Sequence, residues 1–462
     1  MCTTALLIIT LLAFALLSAC TTTVTPEDPV LRTVERHVFP LLEGEHARGV
    51  VVGVERGDDR LLRAYGDLPA GTQTLFETGS IGKVFTALLL VEAVRRGEMA
   101  LDEPVPASWG LRHFTDDAGE HPVLLWHLAT HTSGLSASPD DLDDTLENPY
   151  EGYTLDRMRR ALARAPIGTR PGASYAYSNL AYALLGQLLA ERADVSYTEL
   201  LHRRILDPMF MGSDGRARAW THLGQAQQRD LAPGHEFGVP REPWGADDAL
   251  APAGCVITGA DALLDMLRLA HDAHTDPSCA HTLAPSLRDT LAIRFPFPDG
   301  GGVGLGWHHE PHGAIWHNGS TGGYHATAAF DPAHDLRVVI LADDADPLTT
   351  EVSFRLLDAL RGIDDRPVET TPVAAWDERR EHAVVGAYRH DGAGLTLEIT
   401  REDGRLLARL TGQPAVRVFP IDQSTVVYRV VDAQLEVVDG AECVAALVLH
   451  QDGVSTRFER VE

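Results

Sequence analysis

The order of apolar and polar residues predicts one sheet that is divided in the sequence by a long helical insert. Residues 29–43 carry apolar side chains at helical spacing, and residues 49–56 and 61–65 are typical of two strands joined by a tight turn. After a mostly helical stretch from 104 to 295, the strand pattern returns. The later elements are strands at 303–308, 314–317, 324–331 and 336–342 and a helix at 347–361. Because strands flank the insert, we predict an α+β fold: an antiparallel sheet flanked by helices, with an inserted all-helical lobe.

The pattern changes at residues 363–378, which are rich in Pro, Asp and Thr and are typical of a linker. From 379 to 462, short apolar stretches alternate with turns marked by Gly and Asp. We predict strands at 395–400, 406–410, 416–419, 425–431, 434–438 and 444–449. Such closely spaced antiparallel strands favour a small all-β domain, a barrel or a sandwich, and we predict a barrel. Residues 29–362 and 379–462 are therefore expected to form two domains.

One apolar stretch, residues 80–96, is predicted to be a buried helix that ends before Gly97. It begins with Ser80 and Lys83, which lie three positions apart and therefore on the same face of a helix. Lys83 is the only lysine, since the other 38 of the 39 basic residues are arginine. The Ser-x-x-Lys spacing alone often arises by chance, so the surroundings decide whether the pair is functional.

The predicted surroundings favour a functional pair. Backbone N–H groups in the first turn of a helix lack partners within it, and the helix dipole favours negative charge there. Both effects would stabilise a Ser80 alkoxide and leave the Ser80 N–H free to bind an oxyanion. Apolar neighbours such as Phe85 and Leu88 would desolvate Lys83 and lower its pKa, so the amine could act as a base, which arginine cannot do.

The composition indicates a globular, acidic protein. Of the 462 residues, 44% are hydrophobic and 23% are charged, and the formal net charge is -27. No basic stripe is present to neutralise phosphates, which excludes nucleic acid as a partner. The 21 histidines include His127 and His131, four apart on a predicted helix, but neither an HExxH motif nor a carboxylate at ligand spacing accompanies them. We predict neither a metal nor a cofactor.

The N-terminal residues 5–17 form an apolar stretch that is too short to span a bilayer and fits a signal-peptide core. The stretch runs into Leu-Ser-Ala-Cys20, which resembles the lipobox of bacterial lipoproteins. That resemblance implies removal of residues 1–19, a lipid on Cys20 that anchors the protein in a membrane, and a tether at 20–28. The threonine after Cys20 implies export to the periplasmic face of the outer membrane. Residues 1–4 lack Lys and Arg, so a plain secretory signal with a chance cysteine is the alternative.

Two further segments carry polar side chains suited to a catalytic site. Tyr177 and Asn179 lie on a loop that enters an apolar helix. A tyrosine phenol can move a proton at neutral pH only if positive charge lowers its pKa, and Lys83 could supply that charge. Farther along, a predicted strand ends in Trp316-His317-Asn318-Gly319-Ser320, where the glycine would let the backbone approach a ligand.

Three of these segments resemble a known family. Ser80-Ile81-Gly82-Lys83, Tyr177-Ser178-Asn179 and His317-Asn318-Gly319 match, in order, the motifs of the serine β-lactamase and penicillin-binding-protein superfamily. The sequence is most similar to its class C-related serine hydrolases, which are esterases, D-aminopeptidases and DD-peptidases. The resemblance extends over about residues 29–361. The C-terminal domain is similar, by its pattern alone, to the lipocalin-like β-domain that often follows such hydrolases.

The resemblance implies a serine hydrolase with an acyl-serine intermediate, and it implies a role for each matching residue. Ser80 would be the acylated nucleophile and Lys83 its base. Tyr177 would pass the proton to the leaving group and help to activate the deacylating water, and Asn179 would contact the Lys83 amine and a substrate amide. Asn318 and Gly319 would contact substrate, and the Ser320 N–H would join the Ser80 N–H in binding the oxyanion.

His317 departs from the β-lactamase pattern, which usually has a lysine there to bind the substrate carboxylate. A histidine with an ordinary pKa near ~6.5 is mostly neutral at pH 7, so the attraction for a carboxylate weakens. The departure favours an ester or a neutral amide, either a small molecule or a peptide. Two alternatives stay open: a β-lactamase or DD-carboxypeptidase, and a non-catalytic receptor for cell-wall fragments. No protein partner is predicted.

Overall fold

The computed structural model describes residues 28–143, 146–245, 249–440 and 443–461. The predicted signal sequence and Cys20 lie outside these residues. Within them, no helix combines the length and the apolar character needed to cross a bilayer.

The described residues form twelve α-helices and twenty-three strands. The helices are α1 Pro29–Glu43, α2 Gly82–Arg95, α3 Leu125–Ala129, α4 Leu155–Arg164, α5 Asn179–Ala193, α6 Tyr197–Leu201, α7 Asp207–Phe210, α8 Gln225–Gln228, α9 Ala260–Thr275, α10 Ala284–Leu291, α11 Leu348–Arg361 and α12 Glu378–Val384. The strands of the first domain are β1 Gly49–Arg56, β2 Asp59–Gly66, β3 Phe76–Glu77, β4 Phe114–Asp116, β5 Gly119–His121, β6 Ala219–Trp220, β7 Gly234–Glu236, β8 Val239–Arg241, β9 Ile257–Thr258, β10 Phe295–Pro296, β11 Gly302–Val303, β12 His308–His309, β13 Ile315–Ser320, β14 His325–Asp331 and β15 Leu336–Ala342. Those of the second are β16 Gly386–His390, β17 Leu395–Glu402, β18 Arg405–Leu410, β19 Val416–Pro420, β20 Thr425–Tyr428, β21 Ala433–Asp439, β22 Val444–Gln451 and β23 Val454–Arg460.

The first domain is built on an eight-stranded antiparallel sheet with the order β10-β11-β12-β13-β14-β15-β1-β2. β1 pairs with β15, with Val52 opposite Ile340, so strands from both ends of the domain lie side by side. Side chains alternate between the two faces: Val51 packs into the core that contains α2 and α9, and Val50 into the core that contains α1 and α11. The prediction of one sheet divided by an insert is confirmed.

The inserted lobe contains more than helices. Three small sheets lie within or beside it: β4 with β5, β7 with β8, and β9 between β3 and β6. These strands have two or three residues, too few to show an alternating pattern in the sequence. The predicted strand at 303–308 is also two short strands, because the chain turns at Gly306, whose φ is +77°.

Helix α2 lies inside the first domain and is preceded by a 3₁₀ turn at Gly79–Ile81. Eleven of its fourteen residues are buried, including the polar residues Lys83 and Thr86. A helix that is apolar around its whole circumference belongs in a core, as the sequence predicts for residues 80–96. The mobility of its first turn is therefore limited by packing on every side.

The second domain is a closed barrel of the eight strands β16 to β23. Its interior is filled by apolar side chains such as Tyr388, Leu397, Leu435 and Phe458. The prediction of a small barrel is confirmed, and its two unpredicted strands, β16 and β23, are mostly polar. They close the barrel by pairing with each other, with Tyr388 opposite Arg460, a long-range contact that no local pattern encodes.

Candidate active site

The Lys83 amine lies beside the Ser80 hydroxyl, with 2.8 Å between Nζ and Oγ. The 3₁₀ turn that leads into α2 brings the two residues to the same side, as their spacing predicts. Nζ also donates a hydrogen bond of 2.6 Å to the Ala253 carbonyl. The pair is therefore held at the start of a buried helix, with the amine fixed from two directions.

The surroundings of Lys83 favour its neutral form. The residue is fully buried, and desolvation moves its pKa well below the usual 10.5. A neutral amine donates to the Ala253 carbonyl and still has a lone pair that can accept the Ser80 hydroxyl proton. The geometry and the lowered pKa together give Lys83 the properties of a base.

Glycines let strand β13 pack directly on the Ser80 turn. A Cβ at Gly319 would lie 2.0 Å from the Thr78 carbonyl oxygen and 2.6 Å from the Ser80 nitrogen, so only glycine fits without movement of the backbone. Gly79, at φ +51°, faces Ser320 in the same way. The sequence predicts that Gly319 lets the backbone approach a ligand closely; in the structure it lets the backbone approach the Ser80 turn. It brings the backbone nitrogens of Ser80 and Ser320 to one side of the site.

The Tyr177 ring centroid lies 5.0 Å from Lys83 Nζ, and the phenol interacts with the neighbouring Ser80. Burial raises the pKa of Tyr177 above its usual 10.0. The expectation that a charged Lys83 lowers this pKa is not met in the resting site, because burial also favours the uncharged form of the amine. Burial thus favours the uncharged form of both groups before substrate binds.

The two asparagines make contacts other than those expected. Asn179 donates a hydrogen bond of 3.4 Å to the Tyr150 hydroxyl, and its Oδ1 is buried with no hydrogen-bond partner among the described residues. Its expected contact with Lys83 is replaced by the Ala253 carbonyl. The Asn318 side chain donates to Thr350 on α11, 3.0 Å away on the opposite face of the sheet. The Asn318 side chain is thus directed to the face opposite Ser80, because alternate residues of β13 face opposite sides, and a contact of Asn318 with substrate stays a prediction.

His317 faces the site and carries no charge. It is almost fully buried, its Nδ1 contacts the Asn318 carbonyl oxygen, and its Nε2 lacks a hydrogen-bond partner among the described residues. Desolvation is the main cause that moves its pKa well below 6.5, with His308 and Lys83 adding to it. The site therefore has a neutral imidazole at this position, and its charged fraction at pH 7 is smaller than an ordinary histidine pKa implies.

The sequence comparisons identify the family. Residues 34–361 match the family described as Beta-lactamase. The chain belongs to this family.

Relatives of this beta-lactamase-family chain differ in their named activities. A beta-lactamase of Escherichia coli K12 is 24% identical over 400 residues, which cover 76% of this chain and 99% of the relative. Esterase EstB of Burkholderia gladioli is 31% identical over 209 residues, 42% of this chain and 53% of the esterase. The octameric penicillin-binding protein homologue from Pyrococcus abyssi has the same fold, with a TM-score of 0.61 and 19% identity, over 94% of this chain and all of that one. The relatives are similar to this chain in sequence or fold, and their names give different activities.

The Ser80 turn opens into a cavity of about 40 Å³. Its described lining consists of Gly79, Ser80, Tyr150, Asn179, Trp244, Gly245, Leu250, Ala253, Gly254, Ser320 and Thr321. The rim residues Tyr150 and Trp244 meet edge to face, with ring centroids 5.1 Å apart. Sequence reasoning missed both, because they lie in loops without a motif that the fold brings to Ser80.

Glu77 is a third residue of the site that the sequence did not single out. Its buried carboxylate accepts hydrogen bonds from the backbone N–H groups of Gly245 at 2.8 Å and Trp244 at 3.2 Å. Burial raises the pKa of Glu77. The carboxylate thus ties the rim residues Trp244 and Gly245 to the segment that leads into the Ser80 turn. Its position three residues before Ser80 was the one signal that could have pointed to it.

Among the described residues, no group of three or more His, Cys, Asp or Glu side chains has an arrangement that could hold a metal ion. The histidines around the site instead contact aromatic rings. His308, for example, stacks on Trp316 with centroids 4.9 Å apart. The chemistry that the described residues offer is proton transfer and nucleophilic attack.

Proposed function

We propose that the protein is a serine hydrolase that acts through an acyl-Ser80 intermediate on an uncharged ester or amide. The observation that carries the proposal is the fully buried Lys83 amine, whose pKa burial lowers, 2.8 Å from the Ser80 hydroxyl and 5.0 Å from the Tyr177 ring centroid. A binding protein has no need of a base at a serine, whereas a serine acyl transferase or hydrolase requires one, and a deprotonated amine can serve as that base.

In the acylation step, Ser80 Oγ attacks the substrate carbonyl carbon while Lys83 Nζ accepts the hydroxyl proton. The carbonyl oxygen becomes an oxyanion, held by the N–H groups of Ser80 and Ser320. One such donor is worth about 2.7–4 kcal/mol of transition-state stabilisation. Lys83 now carries a positive charge 5.0 Å from the Tyr177 ring, which lowers the phenol pKa at the moment when its proton is needed.

The Tyr177 proton then passes to the leaving oxygen or nitrogen as its bond to the carbonyl carbon breaks, and Lys83 returns a proton to Tyr177. Water attacks the acyl-enzyme by the same route in reverse. Its proton moves through Tyr177, the bond between Ser80 Oγ and the acyl carbon breaks, and Ser80 recovers its proton. The products are a carboxylic acid and an alcohol or amine, so atoms and charge balance.

The lack of a fixed positive charge in the described cavity lining supports an uncharged substrate. None of the described residues that line the cavity is a lysine or an arginine, and His317 is neutral. A substrate carboxylate would therefore lose its hydration without gaining a fixed positive partner. The similarity to an esterase supports the same choice.

A β-lactamase or DD-carboxypeptidase is the second candidate. It is favoured by the similarity to the E. coli beta-lactamase, which extends over 99% of that enzyme. Turnover of a chromogenic cephalosporin without turnover of short-chain nitrophenyl esters would select it. A probe adduct that forms and never turns over would instead support a receptor for cell-wall fragments.

The decisive experiment compares wild type, Ser80→Ala and Lys83→Arg on esters, D-amino-acid amides and β-lactams. We expect ester turnover by wild type and labelling of Ser80 by a fluorophosphonate. Ser80→Ala should abolish the labelling. Lys83→Arg keeps the charge but loses the base, so kcat should fall by about 10²–10⁴-fold. Labelling of Ser80→Ala would place the nucleophile elsewhere, and retained turnover by Lys83→Arg would reject the base.

We also propose that the protein is exported and anchored by a lipid on Cys20. The apolar residues 5–17 before the Leu-Ser-Ala-Cys sequence support this. In a bacterial host supplied with radiolabelled palmitate, wild type should carry the label and Cys20→Ala should not. Equal labelling of the two proteins, or an unlabelled wild type, would reject the lipid anchor.

A further inference from the structure

His131 contacts the Tyr177 ring and the backbone on both sides of it, and the proposed reaction gives His131 no role. It follows helix α3 in a left-handed conformation, with φ +57°, and is 1% exposed. Its ring stacks on the Tyr177 ring, with centroids 4.2 Å apart and planes inclined by 26°. A left-handed backbone is costly for a residue with a side chain and persists where the surroundings impose it.

The same residue also binds the backbone on both sides of Tyr177. The Ala176 N–H donates to the His131 carbonyl at 2.8 Å, and the Ser178 N–H donates to His131 Nδ1 at 3.0 Å. The residues directly before and after the tyrosine are thus fixed to one histidine, whose ring covers the phenol. The carbonyl and the imidazole of His131 together leave Tyr177 little freedom to turn away from Ser80.

The hydrogen bond from Ser178 determines the state of the imidazole. Because Nδ1 accepts an N–H, the proton of the neutral ring is on Nε2. Nε2 is buried and has no hydrogen-bond partner among the described residues. Desolvation moves the pKa of His131 well below 6.5, and Lys83, His308 and His317 add to the shift. The ring therefore stays neutral, and Nδ1 stays an acceptor, when Lys83 becomes charged during the reaction.

We infer that His131 is the positioning residue for Tyr177: it sets the phenol's place and angle toward Ser80 by stacking on the ring and binding both flanking peptide groups. The inference rests on the proposed function, in which Tyr177 relays the proton. The role is separate from proton transfer, because His131 itself neither gives nor takes a proton. Loss of positioning should lower kcat and leave substrate binding almost unchanged.

Two substitutions separate the contacts. His131→Asn offers an oxygen near the place of Nδ1 and tolerates a left-handed backbone, but removes the stacked ring. His131→Phe keeps a ring and leaves the Ser178 N–H buried without an acceptor. We expect kcat to fall about 10-fold in the first and about 100-fold in the second, with KM changed less than threefold, since small misplacements of catalytic groups cost up to about 10²-fold.

His127→Asn is the matched control. His127 is also buried, and its Nδ1 also accepts a backbone N–H, from Leu124 at 3.0 Å. Its ring contacts Trp126, with planes inclined by 56°, and does not stack on Tyr177. The control should lose a similar amount of thermal stability and keep kcat within twofold. An equal loss of kcat in His127→Asn and His131→Asn would overturn the inference.

A double-mutant cycle tests the dependence on Tyr177 directly. If His131 acts through the phenol, His131→Phe should lower kcat by less than twofold once Tyr177 has been replaced by Phe. The same loss in both backgrounds would mean general damage and would overturn the positioning role. Wild-type kcat in His131→Phe would overturn it as well.

Failure of the proposed function would look different. In that case wild type would neither label at Ser80 nor turn over any substrate. The positioning role can then be tested alone by NMR of a protein with ¹³C-labelled tyrosine. The resonance of the Tyr177 ring is assigned by its loss in Tyr177→Phe. It should shift in His131→Asn and stay in place in His127→Asn. An unchanged resonance in His131→Asn would overturn the inference whatever the activity.

Discussion

At the scale of single residues, Lys83 shows how an uncommon choice of residue predicts chemistry. Its spacing from Ser80 is local, so the sequence predicts the 2.8 Å contact correctly. The partners of Asn179 and Asn318 could not be predicted, because they depend on which face of a strand or loop meets a distant element. Glu77 and Trp244 are 167 positions apart, and no local pattern predicts that they meet.

The buried Glu77 carboxylate leads to a prediction at this scale. Glu77→Gln keeps one acceptor oxygen and turns an amide donor toward the N–H group of either Trp244 or Gly245. An unsatisfied buried N–H costs about 1–3 kcal/mol. If this cost falls on the rim of the cleft, KM should rise by about 5–100-fold while kcat changes less. Steady-state ester kinetics would measure it.

Glu236→Gln is the control for this substitution, because Glu236 is half-exposed and pairs with Arg241 on a nearby hairpin. It should leave KM unchanged. A KM for Glu77→Gln equal to that of wild type would show that the carboxylate does not hold the rim.

At the scale of elements, the site depends on how closely β13 packs on the turn before α2. The sequence predicts both elements but not the short distance between them. That distance is possible because Gly79, Gly254 and Gly319 have no side chain at the contact. The short strands of the insert and the closing strands of the barrel were missed for a related reason: they are stabilised by pairing over long sequence distances and not by their own apolar pattern.

Gly319→Ala tests this packing. The new methyl group would lie 2.0 Å from the Thr78 carbonyl oxygen, so the strand or the Ser80 turn must move. We expect kcat/KM to fall by at least about 10²-fold, since both oxyanion N–H groups shift. Gly168→Ala is the control, because its nearest neighbour would be 3.7 Å away. Equal activity of the two variants would contradict the packing argument.

At the scale of the whole molecule, the barrel docks on the first domain through two arginines. Arg429 donates to the Glu45 carbonyl at 2.7 Å and to the Gly44 carbonyl, and Arg417 pairs with the Glu45 carboxylate. Burial lowers the pKa of Arg429 to about 10, a sign that the contact excludes water. The sequence predicts two domains and a linker, but not this contact, because the arginines look like ordinary surface charge.

Arg429→Ala should weaken the docking. If the contact contributes about 1 kcal/mol, the thermal midpoint of the small barrel should fall by about 4–8 °C, as measured by differential scanning calorimetry. Arg409→Ala serves as the control, since Arg409 is exposed on the barrel and pairs with Glu398. A midpoint that falls equally in both variants would mean that docking adds nothing to the stability of the barrel.

The central claim is that the Lys83 amine is neutral in the resting protein. Because Lys83 is the only lysine, ¹³C and ¹⁵N labelling of lysine gives one side-chain signal, whose chemical shift reports the protonation of Nζ as pH changes. The account predicts a neutral amine at pH 7 and a midpoint well below 10.5. The acid limb of kcat/KM should follow the same midpoint, since protonation removes the base. A charged amine at pH 7, with a midpoint near 10.5, would contradict the account.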